Sequence, residues 1–165
     1  MKFPSNHNHS DGHFQDLMLH RIHDILLVAS PYDAFILEED GRLTEQILHE
    51  YLGMNLSYAP RVWQANTASY AMDLLSRRSV DLVIVMMRIS DMDLITFGTQ
   101  VKELYKNKPI ILLAFDESEI KQLPEDRDQF MDNVFVWTGN SSVFPAIIKY
   151  IEDTKNVKRD TRKGD

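Results

Sequence analysis

Several groups of residues in this chain have the types and spacing to do chemistry. The N-terminal stretch holds His7, His9 and His13, with His20 and His23 beyond them. His7-X-His9 has chelate spacing for a strand, and His20-X-X-His23 has it for a helix. The chain has no cysteine and no carboxylate spacing completes either set, so a flexible polar tail and no bound metal are expected. Asp91 and Asp93 make a carboxylate pair of the kind used for acid–base catalysis. Capping of a turn is the expected role instead. Gly139-Asn140-Ser141-Ser142 precedes a predicted helix and offers an anion a helix N-terminus. It lacks the lysine and the glycine content of a phosphate loop, so capping by Ser141 or Ser142 is expected. Asp33, Glu38, Glu39 and Asp40 gather in one short segment where carboxylates would bind a hard cation. No known cation-loop spacing is present, and the segment reads as an acidic turn.

The elements that must position these groups alternate regularly. Ile25-Leu26-Leu27-Val28-Ala29 is a continuous apolar run, the mark of a strand buried on both faces. Leu43, Ile47, Leu48, Tyr51 and Leu52 recur at helical spacing, with Gly53 as a C-cap and His49 facing solvent. Residues 61–65 make a second strand, followed by a helix capped by Asn66 or Thr67 that carries Ala71, Met72, Leu74 and Leu75. Residues 82–87 are the most apolar strand, and Ile95, Phe97, Val101 and Leu104 stripe the next helix. Residues 110–114 and 134–137 are the fourth and fifth strands; Val143, Ile147, Ile148 and Ile151 stripe the last helix. Between the last two strands Pro124 interrupts an acidic connection, predicting a short helix over 118–123 and another turn near Phe130. Buried strands separated by helices predict an α/β fold, a flavodoxin-like three-layer sandwich around a five-stranded parallel sheet of order 2-1-3-4-5. In such sheets chemistry sits at the C-terminal ends of the strands.

Three segments together resemble the receiver (CheY-like) domain of bacterial two-component signalling. They are residues 81–93 around the third strand, residues 65–75 around the second strand and its helix, and residues 109–115 around the fourth strand. The resemblance covers residues 22–153. It implies an acid pair after strand one and an Asp ending strand three that bind Mg²⁺, the Asp also accepting a phosphoryl group. It further implies a Ser or Thr ending strand four and a Lys ending strand five that contact that group. Carried over residue by residue, the acid pair falls on Ala29 and Ser30, and the acceptor on Met86. The hydroxyl position falls on Ala114, and the Lys on Trp137, with Thr138 following. A thioether replaces a carboxylate neither as nucleophile nor as hard-cation ligand. The resemblance is thus to a degenerate pseudo-receiver, not an enzyme and without a cofactor, whose pocket Met86 and Trp137 fill.

Between strand one and its helix the chain is longer than a receiver's. The excess, residues 31–41, is expected to be a loop or lid over the degenerate pocket, with Phe35, Ile36 and Leu37 packing down. The phrase over residues 25–47 and the basic segment 156–163 resemble the N-terminal receiver-like segment and linker of large bacterial phosphoenolpyruvate/pyruvate-binding phosphotransferase-type proteins. That resemblance implies a regulatory module of a multidomain chain.

Charge and composition bound the rest. The chain has 165 residues, 44% hydrophobic and 26% charged, as in an ordinary single soluble domain. Its net charge is −7, with +3 on residues 154–165 and therefore −10 on residues 1–153. An acidic body argues against nucleic acid as the main partner. No apolar run spans a bilayer and no secretory signal is present, so a cytoplasmic location away from membranes is expected. The expected organisation is an N-terminal extension over 1–21, with a short helix from Phe14, a receiver-like domain over 22–153, and a basic linker or helical tail over 154–165. Two functions stay open: an interaction module contacting other proteins, other domains of its chain or a second copy, and a small-molecule sensor using the apolar pocket beneath residues 31–41.

Overall fold

Each continuous apolar run becomes a central strand. The computed structural model describes residues 21–40, 42–51, 59–139 and 142–164, without the side chains of 40, 50 and 157–164. The order is β1 (Asp24–Val28), α1 (Pro31–Phe35) running into a π-helical turn (Ile36–Asp40), α2 (Leu43–Tyr51), β2 (Arg61–Ala65), α3 (Ala68–Arg77), β3 (Leu82–Met86), α4 (Leu94–Leu104), β4 (Ile110–Ala114), α5 (Glu117–Lys121), a 3₁₀ turn (Arg127–Gln129), β5 (Asn133–Val136) and α6 (Val143–Gly164). The sheet has the order β2-β1-β3-β4-β5, and all of its pairings are parallel. This is the expected flavodoxin-like three-layer topology.

Side chains alternate between the two faces of the sheet with period two. Ile25, Leu27, Leu82, Ile84, Ile111 and Leu113 pack with Leu43 of α2 and Phe144, Ile147 and Ile148 of α6. Leu26, Val28, Val83, Val85, Ile110 and Leu112 pack with Leu74 of α3 and Phe97 and Val101 of α4. Every residue of β3 and β4 is buried, which explains their unbroken apolar sequence. Gly98 lets α4 approach the chain before β5, since a Cβ there would stand 2.5 Å from the Phe130 carbonyl oxygen.

The strand beginnings are clamped by carboxylates. Asp81 Oδ2 accepts from the backbone N–H groups of His23 and Asp24, each at 2.9 Å. Asp132 Oδ2 accepts from Ile110 N at 2.7 Å and from Lys102 Nζ at 2.6 Å. Glu152 on α6 is buried and accepts from Ile22 N at 2.8 Å. Lys108 Nζ donates to the Val80 carbonyl, and burial lowers its pKa against the opposing pull of Asp81.

One expectation changes. Residues 31–40 are helical rather than a loop, for a reason legible in the sequence: Ser30 N-caps the turn, its Oγ accepting from Asp33 N at 3.1 Å, and Pro31 occupies the first turn. Of the three side chains expected to pack down, Leu37 is buried, Ile36 is half-buried, and Phe35 is 60% exposed. The helix turns Ala34 and Leu37 inward, which leaves Tyr32 and Phe35 on the outside. Of the two forms expected for residues 154–165, the helical one is present as far as Gly164, where α6 ends. Gly53 and the region 1–20, including His7, His9, His13, His20 and Phe14, lie outside the described residues. Among the described residues no helix is long and apolar enough to cross a membrane.

Candidate functional site

The register of the sheet brings the sequence-predicted pocket positions to one edge. Val28 pairs with Val85, so Ala29 follows β1 beside Met86, the last residue of β3. Met86 pairs with Leu113, and Ala114 pairs with Val136, after which Trp137 N donates to the Ala114 carbonyl at 2.7 Å. Ala29, Met86 and Ala114 are buried; Ser30 and Trp137 are half-buried. Met86, 1% exposed, packs in one cluster with Ala29, Ala34, Leu37 and Leu113, and Trp137 packs against that cluster. Only Ser30 brings a hydroxyl, and its Oγ is engaged as the cap of α1. A thioether, two methyl groups and an indole offer neither a nucleophile nor hard-cation ligands.

Above this apolar floor lies a polar tie that sequence reasoning missed. Asp33, 1% exposed, accepts from Arg88 Nη2 at 2.8 Å. The Arg88 guanidinium carbon stands 5.6 Å from the centre of the Phe115 ring. Glu119 Oε1 accepts from Phe115 N. The segments after β1, β3 and β4 are thereby joined over the site. The Arg88 pKa is raised, first by its hydrogen bond to Asp33 and then by that carboxylate's charge, against a smaller effect of burial. Arg88 was detectable in principle as a cation two residues after a buried strand end. Its partner lies 55 positions away, a separation no local pattern reports.

Glu38 of the inserted segment has a separate role from Asp33. Glu38 Oε1 accepts from Thr44 N at 3.2 Å and so caps α2, while its Oε2 is buried without a hydrogen-bond partner among the described residues. Glu39 is exposed, and the Asp40 side chain lies outside the described residues. Asp91 and Asp93 both cap helices. Asp93 accepts from Thr96 N at 2.9 Å and Thr96 Oγ1 at 2.7 Å at the start of α4. Asp91 reaches α3, accepting from Ala68 N at 2.7 Å and Ser69 N at 3.0 Å. These hydrogen bonds hold both carboxyls below the ordinary carboxylate value, the Ser69 backbone N–H leading for Asp91 and the Thr96 side chain for Asp93. Thr67, one of two expected caps, is the N-cap of α3. Asn140 and Ser141 lie outside the described residues, and the Ser142 carbonyl accepts from Ala146 N. His23 and His49 are exposed.

No protein-family model matches this chain. No curated protein matches it either. Solved structures do match. The signal receiver domain of an HD domain-containing protein from Pseudomonas fluorescens Pf-5 superposes with a TM-score of 0.61 at 20% identity, covering 87% of this chain and 96% of that one. A response regulator receiver domain (CheY-like) from Methylobacillus flagellatus superposes with a TM-score of 0.59 at 14% identity, covering 79% and 99%. NtrX from Brucella abortus superposes with a TM-score of 0.67 at 14% identity, covering 87% of this chain and 30% of that longer chain. The chain has the fold of CheY-like response regulator receiver domains.

Proposed function

We propose that this chain is a signal-transduction regulatory module, a pseudo-receiver that takes no phosphoryl group and acts by contact with protein partners or with other domains of its own chain. One observation carries the reading. Met86 stands at the end of β3, where the receiver resemblance puts the acceptor Asp, and is 1% exposed in an apolar cluster. The changes at Ala29, Ser30, Ala114 and Trp137 support the same conclusion, since each removes a side chain that the phosphoryl chemistry of the resemblance needs. The module is accordingly read as non-enzymatic and cofactor-free. The longer NtrX chain, of which this fold matches 30%, is a precedent for such a fold inside a larger protein, as the likeness to phosphotransferase-type multidomain proteins also implies. The small-molecule sensor gains no support, because Ala34 of α1 and Leu37 of the following turn pack in one cluster with Met86 and Ala29.

Incubation with acetyl phosphate and Mg²⁺, followed by intact-mass spectrometry, tests the proposal. No adduct is expected. A stoichiometric, base-labile phosphoryl adduct would overturn it.

A further inference from the structure

Trp63 lies on the edge strand β2 with two arginines against its ring. The Arg78 guanidinium carbon is 3.9 Å from the ring centre and that of Arg61 is 5.5 Å away. The indole is fixed by its Nε1, which donates to Asp24 Oδ1 at 3.0 Å. Arg21, Arg42, Arg77 and Arg88 each face a carboxylate: Glu152, Glu45, Asp73 and Asp33 respectively. Arg61 and Arg78 have no carboxylate within ion-pair distance among the described residues, and both are exposed. Asp24 and Asp81 lie nearby, but one is engaged by Trp63 and the other by backbone N–H groups.

A guanidinium stacked on an aromatic face keeps its in-plane N–H donors free, in the fork that matches a carboxylate. Stacking also fixes the side chain before a partner arrives, which lowers the ordering cost of binding. Trp and Arg are the residue types that most often anchor protein interfaces. Residues 1–153 carry −10, and on that acidic body Arg61 and Arg78 present two exposed guanidiniums outside any ion pair among the described residues. Guanidiniums free of ion pairs give an acidic partner a fixed point of contact on this body, which is how charge sets docking orientation.

We propose that Arg61, Trp63 and Arg78 form a docking surface for an acidic polypeptide segment, with carboxylates of that segment taking the two guanidiniums. The proposal rests on the contact-module reading but fails separately from it. Phosphoryl labelling would overturn that reading, whereas absent peptide binding would overturn only this one.

The test uses the full chain carrying Trp137→Phe, which leaves Trp63 as the sole indole of the two in the sequence. The probe is an end-blocked Gly-Glu-Glu-Gly-Glu-Glu-Gly peptide at low salt, with titration calorimetry on the unsubstituted chain as a second measurement. A saturable change in Trp63 emission is expected, weakening as salt rises. Arg78→Gln and Arg61→Gln, checked for folding by circular dichroism, should each weaken binding at least about ten-fold. No saturable binding by either method, or binding unchanged in both variants, overturns the proposal. Tighter binding of tripolyphosphate than of the peptide through the same arginines also overturns it, assigning the surface to a phosphate ligand.

Discussion

Where the strands begin, Asp81, Asp132 and Glu152 each accept backbone N–H groups from residues opening β1 or β4. Where the strands end, Ala29, Met86 and Ala114 are buried, and the buried acid Asp33 bonds a side chain. The two ends use charge for different purposes. At the beginnings, carboxylates fix where β1 and β4 enter the sheet. At the ends, apolar packing fills the floor and one ion pair ties the loops above it. The end at which a parallel sheet ordinarily carries its chemistry is, in this molecule, the end built like a core.

A direct way to break that contrast is to put a carboxylate back at the apolar end. Met86→Asp should lower the unfolding free energy by about 3–5 kcal/mol at neutral pH, because a buried charge without partners is expensive. Met86→Leu, which keeps the volume, should cost less than about 1.5 kcal/mol. Urea denaturation of both variants checks this, and a well-tolerated Met86→Asp would show a wet, adaptable pocket. At the other end, Asp81→Ala should cost about 1–3 kcal/mol through two orphaned N–H groups, read by the same method. The Asp33–Arg88 tie should matter less. Arg88 is 58% exposed, so solvent screens the pair, and Arg88→Ala should cost about 1–2 kcal/mol. A double-mutant cycle with Asp33→Asn isolates that coupling. The smallest effect concerns Asp91. Its folded pKa is lowered, so its contribution is present above the ordinary carboxylate pKa and is lost as pH falls through the folded value, below about pH 4. Asp91→Asn should therefore flatten the acid-side fall of the urea midpoint in a pH series. An unchanged slope would mean that the cap works without its charge.

The sheet was legible because burial on both faces demands continuous apolar runs. The run at residues 110–114 coincides with β4, and the expected second strand coincides with β2. The short elements between β4 and β5 were also legible, with Asp116 capping α5 and Pro124 following it. The inserted segment was misread although its signal was present: Ser30-Pro31 is a helix start, outweighed by the acidic, turn-like composition that follows. Gly98 gave no sign of its task, because the group it makes room for lies in another segment.

By itself the sequence determined the element order, the parallel sheet and the residue types that end its strands. Each follows from residue type at a fixed local spacing. Only the tertiary structure decided that Asp33 meets Arg88, that Asp91 caps α3 rather than its own helix, and that Arg61 and Arg78 gather on Trp63. Those pairings join segments far apart in the chain. Strand register and the placing of helices on the sheet set them, and local periodicity carries no record of either.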